Sequence, residues 1–192
     1  IDRSVLRRGM PTLHALFSHQ ISVIMGDFLY STTLSELVAI GDIEVLRALT
    51  RASTQMTLGE MRQLSVNDSL SFSEDDYYAL INAKTASLMA AAAEIGALCG
   101  AQEHRASLLE FGQALGMVFQ IADDMIDYTE AQETTGKPTG LDLREHKVTL
   151  PLIAALRTMP SNHRKRVDAL FASSEPTDAM VADVLSLVAE NG

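Results

Sequence analysis

Gly116-Met117-Val118-Phe119-Gln120-Ile121-Ala122-Asp123-Asp124-Met125-Ile126-Asp127 has a helical period written into it. Its polar members, Gln120, Asp123, Asp124 and Asp127, stand at i, i+3, i+4 and i+7 and so share one stripe. Leu115, Val118, Phe119, Ile121, Ala122, Met125 and Ile126 occupy the other faces. Asp123 and Asp127 are like charges four residues apart, which weakens a bare helix. A positive partner is therefore expected. Carboxylate oxygens suit the hard cation Mg2+, which commonly joins carboxylates to substrate phosphates. A solvated acidic face explains the same three aspartates more plainly. Because the helix is apolar nearly all round, the inward metal site is the reading preferred here.

Outward from this helix, the same period recurs. It runs from Thr12 to about Ala39, predicting a mostly buried helix interrupted only by His14, His19, Asp27 and Glu36. A turn at Gly41-Asp42 opens a second helix that ends near Leu64. Ser73 with Asp76 predicts a capping-box start to a long helix reaching about Gly96, with Gly100 closing it. Its Ala90–Ala93 run predicts close approach by a neighbouring helix. The acidic stripe lies on the next helix, about 103–128, before a loop at 134–141 rich in Gly, Thr and Pro. Two further helices fall near 149–156 and 163–170, and an apolar helical pattern precedes Glu190-Asn191-Gly192. The expected class is an all-α bundle around a central cavity, as one domain over 1–192.

Composition agrees. The 192 residues are 47% hydrophobic and carry a net charge of −10, which disfavours nucleic acid as a partner. The single Cys99 has no intrachain disulfide partner, reads as a small core residue, and fits a reducing cytoplasmic compartment. No uncharged apolar stretch long enough to span a bilayer is expected. The chain opens at Ile1-Asp2 without a methionine and is read as a fragment cut at both ends.

The run 116–127 resembles the second aspartate-rich motif of the trans-isoprenyl (polyprenyl) diphosphate synthases. Thr135-Gly136-Lys137-Pro138-Thr139-Gly140-Leu141-Asp142-Leu143 and Lys147-Val148-Thr149-Leu150-Pro151-Leu152 follow it in that family's order. Upstream, Arg7-Arg8-Gly9-Met10-Pro11-Thr12 resembles the paired-arginine segment after the first aspartate-rich motif. Gly26-Asp27-Phe28-Leu29, Gly59-Glu60-Met61-Arg62-Gln63-Leu64 and the Lys84-Thr85 pair are also similar.

The resemblance implies an isoprenoid-synthase bundle that condenses isopentenyl diphosphate with an allylic diphosphate, using Mg2+. It implies Asp2, Asp123, Asp124 and Asp127 as metal ligands. Arg7 would hold the allylic diphosphate and Arg8 isopentenyl diphosphate, with Lys84, Thr85, Gln120, Lys137 and Lys147 completing the diphosphate set. Asp123, Lys84 and Lys147 are the residues expected to carry catalysis. A homodimer is implied, with peripheral membrane contact for product release. His146 stands where the family carries Gly, as does Ser18 after the aromatic. The first change bears on the loop holding Lys147, because only Gly tolerates positive φ cheaply. The earlier carboxylates of the first motif and the basic residues before it are absent, so the fragment itself is expected to be inactive.

Taken singly, each cation reads as ordinary surface charge and each histidine as a polar surface group. Only the ordered set of motifs lifts them above that. Three readings stay in play: a medium- or long-chain synthase, a short-chain farnesyl or geranylgeranyl synthase, and a non-catalytic subunit of a heteromeric synthase. A class I terpene cyclase is disfavoured, because its second metal motif mixes Asn, Ser or Thr with Glu.

Overall fold

The computed structural model describes residues 5–7, 9–65, 69–129 and 139–191. The chain divides into two compact units, Ile1–Ala48 and Leu49–Gly192. In the first, β1 (Leu6–Arg7) pairs antiparallel with β2 (Met10–Pro11), Leu6 opposite Pro11 and Arg7 opposite Met10. Helix α1 (Leu13–Leu16) then stops at Phe17, whose backbone leaves the helical region, and α2 covers His19–Ile40. One unbroken helix was expected here. The break has a local cause, because Ser18 Oγ accepts the Ile21 backbone N–H at 3.2 Å and restarts the helix as its N-cap. The serine thus has a structural task of its own.

Helix α2 corrects a second expectation, since none of its residues is buried. Phe28, Leu29 and Ile24 are each more than half exposed. Its apolar side chains are spread around the helix, so no one face is marked for packing. At 22 residues it is also long and apolar enough, by length and composition alone, to cross a membrane, although it carries Asp27 and Glu36 and so is not an uncharged stretch.

Helix α3 spans Ile43–Ser65. In the second unit, α4 (Glu74–Ile81) starts on the predicted capping box: Ser73 Oγ accepts the Asp76 N–H at 3.1 Å while Asp76 Oδ2 accepts the Ser73 N–H at 3.1 Å. The predicted long helix then widens into a π-helical turn at Asn82–Ala86 before resuming as α5 (Ser87–Gly100). Such turns concentrate at functional sites. A 3-10 turn, Gln102–His104, leads into α6 (Arg105–Thr129), which carries the acidic stripe.

Helix α6 lies too close for side chains at two positions, once to α5 and once to the π-helical turn. A Cβ on Gly112 would fall 2.8 Å from Ala90 Cα, and one on Gly116 only 2.5 Å from Ala86 Cα. The close approach expected of the alanine run is therefore present, with glycines supplying the other half. Four more helices follow among the described residues: α7 (Leu141–Arg144), α8 (Leu150–Thr158), α9 (Ser161–Ala172) and α10 (Asp178–Asn191). They pack with α4 around Tyr77, Leu143, Leu152, Val167, Leu170 and Val184, each at most 1% exposed. Burying each aliphatic side chain of this kind stabilises by roughly 1.5–3 kcal/mol. This core fixes α4 and α6 beside one another. Cys99 lies outside it and is exposed, contrary to the core reading.

Candidate active site

The π-helical turn, α4 and the second half of α6 meet where Gly116 lets α6 touch Ala86. One turn along α6 from that glycine, Gln120 Oε1 accepts the Thr85 hydroxyl at 2.7 Å. Gln120 Nε2 donates to Asp124 Oδ1 at 2.8 Å, and the Tyr77 hydroxyl donates to Asp124 Oδ2 at 2.7 Å. Two sequence motifs some 35 positions apart are thus joined by hydrogen bonds between side chains. Lys84, next to Thr85, places its ammonium 2.7 Å from Glu60 Oε2 and 3.0 Å from Gln63 Oε1 on α3.

The three aspartates of the stripe diverge in role. Asp123 is exposed and Asp124 is 6% exposed. Asp127 is half-buried and caps α7, its two oxygens accepting the Leu141 and Asp142 backbone N–H groups at 3.1 and 3.0 Å. Burial pushes the Asp124 carboxyl above its ordinary range, with the Tyr77 and Gln120 bonds pulling the other way. Burial raises the Tyr77 phenol, and its bond to Asp124 adds to the rise, so it stays protonated and donates. Asp142 is pushed up to about 7, first by burial and then by the Asp127 charge, with Lys147 opposing. Lys147 Nζ lies 2.5 Å from Glu145 Oε2 and 3.8 Å from Asp142 Oδ1.

Among the described residues, no group of three His, Cys, Asp or Glu side chains converges to hold an ion unaided. The reason is the division of labour above: Asp124 and Asp127 direct oxygens at protein donors. The helical spacing put all three on one stripe but could not show what each meets there. A hard divalent cation still fits the donor set, since Mg2+ is usually held by one or two carboxylates together with substrate phosphates and water. Asp123 is the exposed carboxylate of the stripe, beside the negative charge of Asp124.

The polyprenyl synthetase family matches residues 1–188. The chain belongs to that family. It is 35% identical over its whole length to an all-trans-nonaprenyl-diphosphate synthase (geranyl-diphosphate specific) of Rhodobacter capsulatus, of which it covers 59%. It is 37% identical, over 98% of its length and 58% of the relative's, to heptaprenyl diphosphate synthase component 2 of Geobacillus stearothermophilus. The crystal structure of a polyprenyl synthase from Caulobacter crescentus complexed with calcium and isoprenyl diphosphate superposes with a TM-score of 0.92 at 36% identity, covering 98% of this chain and 58% of that one. The chain therefore spans about three-fifths of the length of these relatives. The all-α isoprenoid-synthase fold expected from the sequence is shared with them.

Against the family's motifs, the structure brings Lys84, Thr85, Gln120, Asp124 and Asp127 into one region of the second unit and places Lys147 beside Asp142. Arg7 lies on β1 of the first unit. Asp2, Arg8 and Lys137 lie outside the described residues. Sequence reading missed Tyr77 and gave Asp142 no role. A tyrosine early in an amphipathic helix looks like core, which Tyr77 is, and only its partner Asp124 shows what its hydroxyl does there. His146 adopts φ +55, the left-handed conformation the family serves with glycine. Its ring packs 5.6 Å from the Phe171 ring, which supports the strained backbone from outside the loop.

Proposed function

We propose that the whole protein is a trans-prenyltransferase that condenses isopentenyl diphosphate with an allylic diphosphate to an all-trans polyprenyl diphosphate of medium or long chain. The observation that carries this reading is the Lys84-Thr85 pair joined through Gln120 to the acidic stripe, in a chain whose family membership extends over 1–188. In this reading the 192 residues, which span about three-fifths of their relatives' length, are part of one longer synthase domain. Mg2+ is the proposed metal, with Asp123 as its exposed protein ligand in the second unit.

The chemistry follows from charge. Ionising the allylic C–O bond leaves its electron pair on pyrophosphate, so several negative charges must be stabilised at once. Lys84 and Lys147, with Arg7 and Lys137, neutralise those oxygens, and Arg8 holds isopentenyl diphosphate. Glu60 and Gln63 hold the Lys84 ammonium in place before substrate arrives. A bound divalent cation supplies Lewis-acid stabilisation of the leaving group. The isopentenyl double bond then forms the new C–C bond, and the proton released leaves with pyrophosphate. Apolar walls without nucleophiles keep water from the cation.

We assign a homodimer that touches the membrane surface to release its product. A relative named as component 2 favours a second reading, in which the chain works with an unlike partner. Incubating the full-length protein with Mg2+, farnesyl diphosphate and labelled isopentenyl diphosphate tests the main assignment. Labelled products lengthened by successive five-carbon units are expected. Turnover appearing only after an unlike partner is added would establish the second reading, and no labelled product under either condition would overturn both.

A further inference from the structure

We propose that Tyr77 is a positioning residue, its phenol setting through Asp124 the direction in which the Gln120 amide and the Thr85 hydroxyl face. The inference rests on the prenyltransferase reading, because it concerns groups assigned there to the substrate. Four side chains form one continuous relay across three elements. The Tyr77 hydroxyl on α4 donates to Asp124 on α6, Gln120 Nε2 donates to the other Asp124 oxygen, and Thr85 in the π-helical turn donates to Gln120 Oε1.

An ionised carboxylate only accepts. With Asp124 ionised, the amide of Gln120 must therefore turn its NH2 toward it, which leaves the carbonyl oxygen toward Thr85. Thr85 must then donate its one hydroxyl proton to that oxygen. Each orientation follows from the charge at the centre, so neither the amide nor the hydroxyl is free to reverse. The second N–H of Gln120 is the one donor proton that the four side chains do not use among themselves. The relay thus leaves Gln120 to donate toward an anionic oxygen, and leaves Thr85 only lone pairs to offer.

Tyr77 stabilises this polarity. It is 1% exposed in the core, so its hydroxyl position is fixed by packing as well as by the hydrogen bond. Without that hydroxyl, Asp124 keeps Gln120 alone as donor, and one of its buried oxygens is left unsatisfied. Turning the Gln120 amide so that its second N–H reaches the vacant oxygen relieves that cost. That response takes the spare donor away from substrate and loosens the hold on Thr85. The Tyr77 hydroxyl bonds to Asp124, and its effect travels through that carboxylate.

The test is a double-mutant cycle of Tyr77→Phe and Thr85→Val in the full-length protein, read beside the side-chain amide signals of Gln120 in nuclear magnetic resonance. Tyr77→Phe is expected to lower kcat/KM for the allylic diphosphate on the order of tenfold, and to leave KM for isopentenyl diphosphate within about twofold. The double variant should lose no more than the larger single loss, because both changes break one relay. The Gln120 amide signals, assigned by their disappearance in Gln120→Glu, should shift in Tyr77→Phe. Additive losses, or amide signals unchanged from wild type, would overturn the proposal. If the wild-type protein elongates nothing, the assignment of the reaction fails, while the amide signals still decide the relay. Should Tyr77→Phe not fold, Asp124→Asn takes its place in the cycle with the same expected coupling.

Discussion

Two regions of the second unit bury carboxylates, and they compensate them in opposite ways. On α5, Glu94 is 3% exposed and receives Arg51 from α3 at one oxygen and Arg105 from the start of α6 at the other, with Arg105 Nη2 at 2.7 Å. Two guanidinium groups answer one charge, and three helices are tied at that point. Around the α6–α7 junction, Asp124 meets the neutral partners Tyr77 and Gln120, and Asp127 meets backbone N–H groups. Lys147 is 3.8 Å from Asp142 and shared with Glu145. The first region is electrostatically closed. The second carries excess negative charge, and its Asp124 and Asp142 carboxyls are raised by burial first and by neighbouring carboxylates after it. The closed site brings its own cations, whereas the proposed function has the acidic region receive positive charge from outside.

The sharpest way to break this contrast is kinetic. Asp123→Ala in the full-length protein should leave helix content unchanged and lower turnover by roughly a thousandfold or more, since a metal ligand contributes several kcal/mol to the transition state. Half the wild-type rate at saturating Mg2+ would remove the acidic region from the reaction. At the closed site the expected loss is stability. Replacing both Arg51 and Arg105 by Ala strands a buried carboxylate and should cost about 3–5 kcal/mol, read by denaturant unfolding. A much smaller cost would show that Glu94 is hydrated and the clamp incidental.

A pH experiment separates the regions further. The Asp142 carboxyl is raised from 3.8 to about 7, so between those values the native chain holds a proton that the unfolded chain has lost. The stabilisation is complete below the unfolded value and declines as pH rises toward 7. Asp142→Asn removes the charge while keeping the shape. In metal-free buffer at pH 8 it should raise stability by on the order of 2 kcal/mol, with little change at pH 4. A variant equally stable to wild type at both values would contradict the excess-charge picture. The smallest effect is expected beside Lys147: His146→Gly relieves the left-handed backbone but sacrifices the Phe171 contact, for a net change of about 1 kcal/mol or less in thermal unfolding.

Much of this was legible in the sequence for identifiable reasons. Helical period located α3, α6, α8 and α9, because a residue's face is fixed by its position within an element. The Ser73–Asp76 cap and the Ala90–Ala93 contact followed from local chemistry, and the His146 glycine position from the motif around it. Helix α2 misled because apolar content alone does not name a partner. Thr12 to Ala39 read as one helix, since a serine that interrupts and one that merely sits on a helix look alike without backbone angles.

The sequence by itself determined the class, the helix faces and the ordered motifs, and through them the family, all of which depend on spacing along the chain. Only the tertiary structure decided that Asp123 is exposed while Asp124 belongs to Tyr77 and Asp127 to α7, and that the helix around Lys84 opens into a π-helical turn. Tyr77 and Asp124 stand 47 positions apart, and Glu94 and Arg51 stand 43. No local period connects them. Which buried charge is answered, and by what, depends on the packing that Gly112 and Gly116 permit α6 against α5 and the π-helical turn.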